Sequence, residues 1–316
     1  MPRFYLGVDG GQSSTIALIA NAEGRIVGRG NSGPCNHVGT SEGRAKFLRA
    51  AGECLERACR DAGIDPLTVT FAAACLGFSG GAEDKESYTR ELIRSSHYKI
   101  THDAEIALTG ATAGAPGIIV IAGTGSIAFG RNTEGRMARA GGWGYIFGDE
   151  GGGFDITRRA LRAALRYEEG WGPETRLRNL LAAALGASGA NGVMHQFYTG
   201  VPRTQIASLA RIVDEAAAGG DAIAIEILTG AARDLAAYVE GVYSNLFRRE
   251  EVVPVAYIGG VFRSDLLRNR FIEEIRERIG CPCGPPKLSP AAGALLEAMR
   301  LDGNVKALSD VPESEK

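Results

Sequence analysis

The sequence predicts an α/β protein of two domains, each holding a mixed sheet and several helices. Three short apolar segments joined by tight turns occur twice, at about residues 4–30 and 117–140. Because parallel strands need a long crossover connection, turns this short join antiparallel strands, and each triplet predicts an antiparallel meander. Segments with apolar residues three and four positions apart follow each triplet and predict helices. The length of 316 residues is also sufficient for two domains.

The first half of the chain begins with strands and continues with alternating helices and strands. Strands are expected at 4–9, 14–20 and 25–30, where apolar runs are bounded by turn residues. Ser41 is placed to cap a helix that runs to about residue 62. The continuous apolar run at 68–77 predicts a buried central strand. The elements expected after it are a helix at 83–96, a strand at 98–101 and a helix at 104–112.

The second half repeats the order of elements without repeating the sequence. Its strands are expected at 117–122, 126–131, 136–140 and, much later, 254–258. Residues 186–192 are expected to form a flexible connection. The helices are expected at 153–167, 174–186, 202–217, 221–248, 264–278 and 290–300, with an irregular segment around His195, Gln196 and Tyr198.

The order of elements also predicts where the domains divide. An N-terminal lobe is expected at 1–113, joined by the C-terminal helix at about 289–302, and a C-terminal lobe at 114–288. Residues 303–316 are polar and are expected to be a frayed tail. Two such domains would leave a cleft between them, which is a common place for ligands to bind.

Composition and charge exclude several classes of function. The formal net charge is −2, far from the basic balance of a protein that binds a nucleic-acid backbone. No run of about 18 apolar residues predicts a membrane span, and the N-terminal residues do not resemble a signal peptide, so a cytoplasmic protein is expected. The six cysteines and four histidines form no zinc pattern and are interpreted as ordinary reduced side chains.

Glycine is unusually frequent, with 44 residues, and it clusters at the ends of apolar segments. One such cluster follows the first strand of each meander. The backbone N–H groups and hydroxyls of these two clusters suit phosphate oxygens. A simple hairpin turn is the alternative for each of them. The first cluster is Asp9, Gly10, Gly11, Gln12, Ser13 and Ser14, and the second is Gly123, Thr124, Gly125 and Ser126. Asp9 could also hold magnesium, directly or through water.

Three further motifs carry possible chemistry. Gly259 and Gly260 follow a strand and would let an adenine ring lie against the backbone. Asp103 follows another strand and is interpreted either as a helix N-cap or as a general base. The loop at 141–151 combines five glycines with Trp143 and an acidic pair, a composition typical of loops that hold polyhydroxylated ligands or metals.

Taken in order, the motifs DGGQSS, GPCNHVG, THDAE, AGTGS, GGWGYIFGDEGG and IGGVF resemble those of the N-acetylglucosamine kinases. These kinases belong to the actin-like sugar-kinase superfamily, in the group that also holds the activator ATPases of benzoyl-CoA reductase and 2-hydroxyacyl-CoA dehydratase. The resemblance covers residues 4 to about 300. It implies a two-lobed actin-like ATPase fold of the ribonuclease H-like type, with ATP, Mg²⁺ and a small-molecule sugar bound in the interdomain cleft.

The resemblance also implies roles for particular residues. Asp103 would be the catalytic base that accepts the proton of the sugar 6-hydroxyl. The two glycine clusters would hold the phosphates, with Gly259 and Gly260 beside the adenosine. The family commonly closes the first phosphate turn with threonine, so either Ser13 or Ser14 could replace it here. The residues expected to contact the sugar are Asn36, His37, Asp103, Ser126, Gly142, Trp143, Gly144 and Asp149.

Alternatives remain open at this stage. The sugar could be glucosamine, N-acetylmuramic acid or glucose instead of N-acetylglucosamine. An activator ATPase with an iron–sulfur cluster would need paired cysteines near the second phosphate turn, but residues 104–280 contain none. An activator-type ATPase of the same family without an iron–sulfur cluster stays an alternative. A sugar-sensing repressor would need a DNA-binding module, for which the N-terminal residues leave no room. The resemblance allows a homodimer, and the sequence leaves the oligomeric state open.

Overall fold

The computed structural model describes residues 2–11, 13–35, 43–79 and 85–316. The chain forms two compact units. The first comprises Met1–Ala115 and Pro286–Lys316, and the second comprises Pro116–Pro285. Among the described residues, no helix combines the length and the apolar character needed to cross a membrane.

The strands and helices of the described residues are numbered here in chain order. The strands are β1 (Phe4–Gly10), β2 (Thr15–Asn21), β3 (Ile26–Ser32), β4 (Phe71–Phe78), β5 (Ser95–His102), β6 (Gly117–Ala122), β7 (Ser126–Arg131), β8 (Met137–Gly141), β9 (Val255–Ile258) and β10 (Cys283–Gly284). The helices are α1 (Gly43–Asp61), α2 (Glu86–Leu92), α3 (Asp103–Ala111), α4 (Gly153–Glu168), α5 (Leu177–Leu185), α6 (Gly189–Thr199), α7 (Arg203–Ser208), α8 (Ala210–Ala218), α9 (Ala222–Leu246), α10 (Asp265–Ile279) and α11 (Pro290–Leu301).

The first unit is built on a five-stranded mixed sheet with the order β3-β2-β1-β4-β5. The pairs β1–β2 and β2–β3 are antiparallel, which confirms the first predicted meander. The pairs β1–β4 and β4–β5 are parallel. All residues of β4 are buried, as expected for a central strand covered on both faces.

Alternating side chains of β1 enter two different cores. Leu6 and Val8 pack in a cluster that includes Phe47 of α1. Tyr5 belongs to a second cluster with Ile106 of α3 and several residues of α11. Because neighbouring side chains on a strand point to opposite faces, α1 covers one face of the sheet, and α3 and α11 cover the other.

Helices α3 and α11 approach each other at glycines. A methyl group on Gly293 of α11 would overlap the carbonyl oxygen of Ile106 and the backbone of Gly110. A methyl group on Gly110 would in turn overlap the carbonyl oxygen of Ser289. The absence of these side chains allows the two helix backbones to touch, which fixes where α3 begins relative to the sheet.

The second unit has a five-stranded mixed sheet with the order β10-β9-β6-β7-β8. The antiparallel pairs β6–β7 and β7–β8 confirm the second predicted meander. Strands β6 and β9 are parallel, and β10 extends the sheet beyond β9. The long helix α9 packs on this sheet, and its Val242 and Leu246 side chains fill the space above Gly130 of β7.

Several predicted elements differ from the structure. The predicted helix at 202–217 is two helices, α7 and α8, and the expected flexible and irregular segments lie largely in helix α6. Helix α6 forms because Ala190 and Val193 are fully covered by the core of the second unit, and the Glu168 carboxylate accepts the backbone N–H of Ala190 at 2.8 Å. Strand β10 was not predicted, since two residues are too short to show a pattern. The predicted cap Ser41 lies outside the described residues.

The expected frayed tail at 303–316 is instead packed on the first unit. The Glu315 side chain is buried, and its carboxylate accepts hydrogen bonds from Arg29 at 2.9 Å and from the Ser289 hydroxyl at 2.7 Å. Ser289 also caps α11 by accepting the backbone N–H of Ala292. A polar composition therefore concealed a carboxylate with specific partners, which sequence position and hydropathy do not reveal.

Alanine usually stabilises a helix relative to glycine, but the close contact between α3 and α11 predicts the opposite effect there. Gly293→Ala should lower the free energy of unfolding by about 1–3 kcal/mol, because the added methyl group has no space. Gly52→Ala in α1 is the matched control, since the nearest atom to its new methyl group would be 3.8 Å away. That variant should gain up to about 1 kcal/mol from helix propensity. Urea unfolding of both variants measures the difference; stabilisation by Gly293→Ala would contradict the close contact.

Candidate functional site

The first glycine cluster forms the turn between β1 and β2. The backbone N–H of Gly11 donates to the carbonyl of Ser14 at 2.9 Å and closes the turn. The side chains of Ser13 and Ser14 are exposed, so both hydroxyls are available to a ligand. Gln12 lies outside the described residues. The predicted hairpin is thus present, with two free hydroxyl groups at its tip.

This turn adjoins the end of strand β4. A side chain on Gly10 would overlap the Phe78 ring and the Cys35 sulfur, so glycine is required there. The backbone N–H of Ser79 donates to the carbonyl of Gly10 at 3.3 Å. The buried Lys85 donates from Nζ to the carbonyl of Ser79 at 2.9 Å and lies 5.1 Å from the centre of the Phe78 ring. This lysine was not identified from the sequence, because its distance along the chain hides its position beside the turn.

Asp9 and Asp103 lie at the same edge of the sheet. The register pairs Asp9 with Gly77, and Gly77 with Thr101, two residues before Asp103. Burial raises the pKa of Asp9 to about 7, and the negative charges of Asp103 and then Glu315 add to the shift. The structure therefore brings together the predicted metal-binding and catalytic carboxylates.

Asp103 is not the N-cap of its helix, although the sequence allowed that interpretation. His102 is the N-cap, and its side chain makes no capping hydrogen bond. Asp103 is the first residue of α3, and its Oδ1 atom accepts the backbone N–H of Ala104 at 2.8 Å. The carboxylate is half-buried, so it remains accessible to a ligand at the carboxyl end of β5.

The second glycine cluster forms the turn between β6 and β7 in the other unit. The N–H of Gly123 donates to the carbonyl of Gly125 at 2.9 Å. The beginning of α4 is hydrogen-bonded to the turn. The backbone N–H of Gly153 donates to the carbonyl of Gly123 at 2.8 Å, and the backbone N–H of Phe154 donates to the carbonyl of Thr124 at 3.1 Å. The start of a helix therefore lies directly against the turn.

Gly259 and Gly260 lie beside this second turn. Strand β9 runs parallel to β6, with Ile258 opposite Ile121, so both strands end at the same edge. Gly259 has a φ of +117°, and a side chain there would overlap the carbonyl oxygen of Ala122. Only glycine allows this approach. The structure thus brings together the predicted phosphate turn and the predicted adenosine-binding glycines.

A cavity of about 420 Å³ opens at this place in the second unit. Gly123, Thr124 and Gly260 line one side of it. The volume lies in the range of small-molecule sites. Apolar residues that include Ile156, Leu228 and Val261 line much of the rest. Polar residues of α7, α8 and the segment after Gly260 also line it: Thr204, Ser208, Arg211, Asp214, Arg263 and Ser264.

The polar lining residues were missed in the sequence because residues 202–217 were interpreted as one ordinary helix. The break between α7 and α8 turns Arg211 and Asp214 toward the cavity. The Ser264 hydroxyl donates to the Asp214 carboxylate and also caps α10 by accepting the N–H of Leu267. A serine shortly after Gly259 and Gly260 was a usable signal for this cap.

The glycine-rich loop at 141–151 has a buried and an exposed part. Asp149 is buried with a φ of +63°, and its carboxylate packs against Gly125 and accepts the N–H of Ser126 at 3.3 Å. The Ser126 hydroxyl donates to the carbonyl of Glu150 at 2.7 Å. Asp149 and Ser126 therefore join this loop to the second glycine turn, a contact that the sequence did not predict.

The exposed part of the loop carries the other predicted sugar-binding residues. Trp143 is 65% exposed, and the Arg139 guanidinium lies 4.6 Å from its ring centre. Gly142 and Gly144 have left-handed φ angles of 72° and 81°. The loop is fixed to α9 by the Tyr238 hydroxyl, which donates to the Glu150 carboxylate; burial and then this hydrogen bond raise the pKa of Tyr238. Asn36 and His37 lie outside the described residues.

The described residues contain no cluster of three or more histidine, cysteine or acidic side chains suited to a metal ion. Magnesium commonly takes only one or two protein carboxylates and completes its shell with water and phosphate oxygens. Asp9 is such a hard oxygen donor, and burial together with the negative charge of Asp103 raises its pKa, which a bound cation would offset. The donor set at this edge therefore fits magnesium.

The raised pKa of Asp9 predicts a pH-dependent cost to stability. In the unfolded chain the carboxyl ionises near pH 4, but in the folded protein it does so only near pH 7. The contribution of the Asp9 carboxyl to wild-type stability is therefore fully present below pH 4 and is lost as the pH rises through about 7. Without divalent metal, the free energy of unfolding of Asp9→Asn relative to wild type should therefore rise by about 2–4 kcal/mol from pH 4 to pH 8. Urea unfolding at both pH values tests this; a difference that stays constant would refute it.

Comparison with known proteins gives a consistent assignment. The model of the BadF/BadG/BcrA/BcrD ATPase family matches residues 6–298. The chain is 36% identical over 272 residues to the N-acetylmuramic acid/N-acetylglucosamine kinase of Clostridium acetobutylicum, across 83% of this chain and 86% of the relative. It is 32% identical over 328 aligned positions to the N-acetyl-D-glucosamine kinase of Dictyostelium discoideum, across 93% and 97%.

Solved structures agree on the fold. A candidate N-acetylglucosamine kinase from Chromobacterium violaceum is 28% identical, with a TM-score of 0.72 over 93% of this chain and 98% of that one. A ROK family glucokinase from Streptomyces griseus is 16% identical with a TM-score of 0.53, over 93% and 98%, and supports the fold alone. The predicted actin-like sugar-kinase fold is confirmed. With the family model matching nearly the whole chain, this protein belongs to the BadF/BadG/BcrA/BcrD ATPase family.

Proposed function

We propose that this protein is an ATP-dependent amino-sugar kinase that transfers the γ-phosphoryl group of ATP to the 6-hydroxyl of N-acetylglucosamine. The observation that carries the proposal is the likeness to two relatives named as kinases of this sugar, each aligned over more than four-fifths of the chain. The carboxylate at the end of β5 and the glycine-lined cavity supply the chemistry that such a reaction needs.

The second unit supplies the nucleotide site in this proposal. The adenosine occupies the cavity beside Gly259 and Gly260, and the phosphates lie against Gly123, Thr124 and Gly125. The N-terminus of α4 lies directly against this turn, and the positive end of the helix dipole favours negative charge there. Asp214 and Ser264 offer polar groups to the nucleoside at the far side of the cavity.

The first unit supplies the acid–base and metal groups. Gly10, Gly11, Gln12 and either Ser13 or Ser14 contact the transferred phosphate. Asp9 holds Mg²⁺, directly or through water. When bound, the ion neutralises charge on the phosphate oxygens as transfer proceeds.

Asp103 acts as the general base. Its carboxylate accepts the proton of the sugar 6-hydroxyl while that oxygen forms a bond to the γ-phosphorus. The bond between this phosphorus and the bridging oxygen of ADP breaks, and ADP leaves with the electron pair. Because phosphoryl transfer needs little covalent help from the protein, the main task of Asp103 is to receive the proton in the correct position.

The loop at 141–151 holds the sugar in this proposal. Gly142, Trp143 and Gly144 present the exposed part of the loop, and Asp149 and Ser126 connect it to the phosphate turn. Asn36 and His37 are proposed as further sugar contacts on the basis of the sequence resemblance. The use of ATP carries with it the expectation of a cytoplasmic protein, and a homodimer remains part of the proposal.

Two alternatives concern the substrate and the reaction. One relative is named for both N-acetylmuramic acid and N-acetylglucosamine, and the glucosamine kinase of Vibrio cholerae is 29% identical over 237 residues, so both sugars are candidates. An activator ATPase is less well supported, because an iron–sulfur cluster needs cysteine ligands. The two closely spaced cysteines, Cys281 and Cys283, lie far along the chain from the second phosphate turn at Gly123–Ser126.

The proposed activity is tested by ADP release with magnesium-ATP and a panel of sugars. The panel contains N-acetylglucosamine, glucosamine, N-acetylmuramic acid, N-acetylmannosamine, glucose and no sugar. Turnover should rise at least about tenfold over the sugar-free rate with N-acetylglucosamine, since the proposed base serves the sugar 6-hydroxyl as the phosphoryl acceptor. Equal ADP release in every reaction would refute the kinase and indicate an ATPase with another partner.

Asp103→Asn should abolish most turnover while leaving ligand binding nearly intact. Loss of a general base lowers kcat by about 10²–10⁴-fold, and the amide keeps the shape of the side chain. Calorimetric titration with ATP and with the sugar should give dissociation constants within about threefold of wild type. A variant that keeps normal kcat would exclude Asp103 as the base.

The second phosphate turn offers a matched pair of glycine variants. A methyl group on Gly123 would have no atom within 4 Å, so Gly123→Ala should keep its stability. It should raise the KM for ATP about tenfold or more, because the methyl group occupies the space proposed for phosphate. Gly125→Ala would instead collide with the Asp149 carboxylate and should lose about 1–3 kcal/mol of stability. Unchanged KM for ATP in Gly123→Ala would remove this turn from the nucleotide site.

A further inference from the structure

A cluster of charged side chains inside the first unit has no part in the chemistry described above. We call Lys99, Glu105 and Glu297 the Lys99 cluster. The Lys99 Nζ atom lies 2.7 Å from Glu105 Oε1 and 2.7 Å from Glu297 Oε2. Both glutamates are buried, and Lys99 is partly buried. The cluster thus holds two carboxylates and an ammonium group away from most of the solvent.

The cluster joins three elements, since Lys99 is on β5, Glu105 is on α3 and Glu297 is on α11. The Thr101 hydroxyl of β5 donates a second hydrogen bond to the Glu105 carboxylate. At the other end of α3, the Thr109 hydroxyl donates to Glu297 Oε1 at 2.7 Å. Helix α3 is therefore tied to the strand before it by its first turn and to α11 by its last turn.

The charges within this group are balanced. Arg300 Nη1 lies 3.4 Å from Glu297 Oε1, so two cations face two carboxylates. Burial lowers the pKa of Lys99, but the hydrogen bonds that its ammonium group donates to Glu105 and Glu297 more than compensate, and the net effect is a raised pKa. Lys99 therefore remains protonated, and removing it would take away the cation that lies 2.7 Å from each of the two buried carboxylates.

The position of Glu105 on the helix connects the cluster to Asp103. A residue in an α-helix is turned by about 100° from the one before it, so residues two apart point about 200° apart. Glu105 points into the unit and is buried, while Asp103 is half-exposed on the other side. Because the first turn of a helix moves as one body, fixing Glu105 from inside fixes Asp103 on the outside.

Stability alone does not account well for such a cluster. Buried ion pairs contribute little net stability, and apolar residues of similar size often serve as well or better. A charged cluster does, however, impose a defined geometry, because each hydrogen bond has a narrow range of distance and direction. The junction between β5 and α3, which carries Asp103, is where this geometry is imposed.

We propose that the Lys99 cluster fixes the first turn of α3 so that the Asp103 carboxylate is held in position to accept the sugar proton. Lys99 and Glu105 are positioning residues that act through Asp103, and Glu297 anchors them to α11. This inference extends the proposed function and depends on it for the role of Asp103.

The test compares steady-state kinetics of wild type, Lys99→Met, Lys99→Arg and Glu105→Gln. Lys99→Met should lower kcat by about 10–100-fold, since a small displacement of a catalytic group has an effect of that size. The KM values for ATP and sugar should stay within about threefold, because the variant leaves the binding groups in place. Glu105→Gln keeps an acceptor for Thr101 but loses the charge, and should fall between Lys99→Met and wild type. Lys99→Arg keeps the charge and should recover most of kcat.

Asp302→Asn is the matched control. Asp302 is also a shielded carboxylate of the first unit, paired with Arg3 at 2.5 Å and with the Tyr5 hydroxyl at 2.7 Å, and neither partner belongs to α3. It should leave kcat within about twofold of wild type even if it loses stability. A normal kcat in Lys99→Met, or an equal loss in Asp302→Asn, would overturn the proposal.

Hydrogen exchange provides a readout that does not depend on turnover. Backbone amides of α3 should exchange at least about tenfold faster in Lys99→Met than in wild type, and at an unchanged rate in Asp302→Asn. Unchanged exchange in Lys99→Met would overturn the proposal independently of any kinetic result. A wild type without sugar-dependent turnover would refute the proposed function instead, and exchange alone would then decide whether the cluster fixes α3.

Discussion

The parallel register of β1, β4 and β5 is the constraint on which the rest of the first unit depends. It places Gly10, Phe78 and His102 in one row across the sheet, so that the β1–β2 turn and the start of α3 meet at one edge. A shift of one residue would turn each side chain to the opposite face and exchange the two cores. The alternating burial of Tyr5 and Leu6 against different helices opposes such a shift. The same arrangement recurs in the second unit, where β6 and β9 bring two glycine motifs together.

Much of this organisation follows from short-range sequence patterns. The two meanders, the glycine turns and the strand before Asp103 were predicted because apolar alternation and turn residues act over a few positions. The features that were missed depend on contacts between distant residues. Helix α6 depends on burial by other elements, the cavity lining depends on a break between α7 and α8, and Lys99 meets Glu297 across 198 residues. A single sequence carries no local signal for such pairs.

The carboxylates of the first unit lie in two different electrostatic environments. Burial raises the pKa of Asp9, and the negative charges of Asp103 and then Glu315 raise it further. In the Lys99 cluster of the same unit, the Glu105 and Glu297 carboxylates are both paired with the Lys99 ammonium group, and Glu297 also accepts the Thr109 hydroxyl. Proteins commonly accept unfavourable local charge where a ligand will later neutralise it, and satisfy buried charges elsewhere. This contrast agrees with the proposed ligand-binding roles of Asp9 and Asp103 and with a positioning role for Glu105 and Glu297.

The two units also differ in how the chain supplies them. The second unit is one continuous segment, Pro116–Pro285, whereas the first needs both Met1–Ala115 and Pro286–Lys316. During synthesis from the N-terminus, the sheet of the first unit emerges early but lacks α11, whose side chains fill one of its cores. The second unit has all its strands and helices before that helix is made. The unit encoded first is therefore the one completed last, and its apolar sheet face must stay uncovered by α11 while the other unit folds.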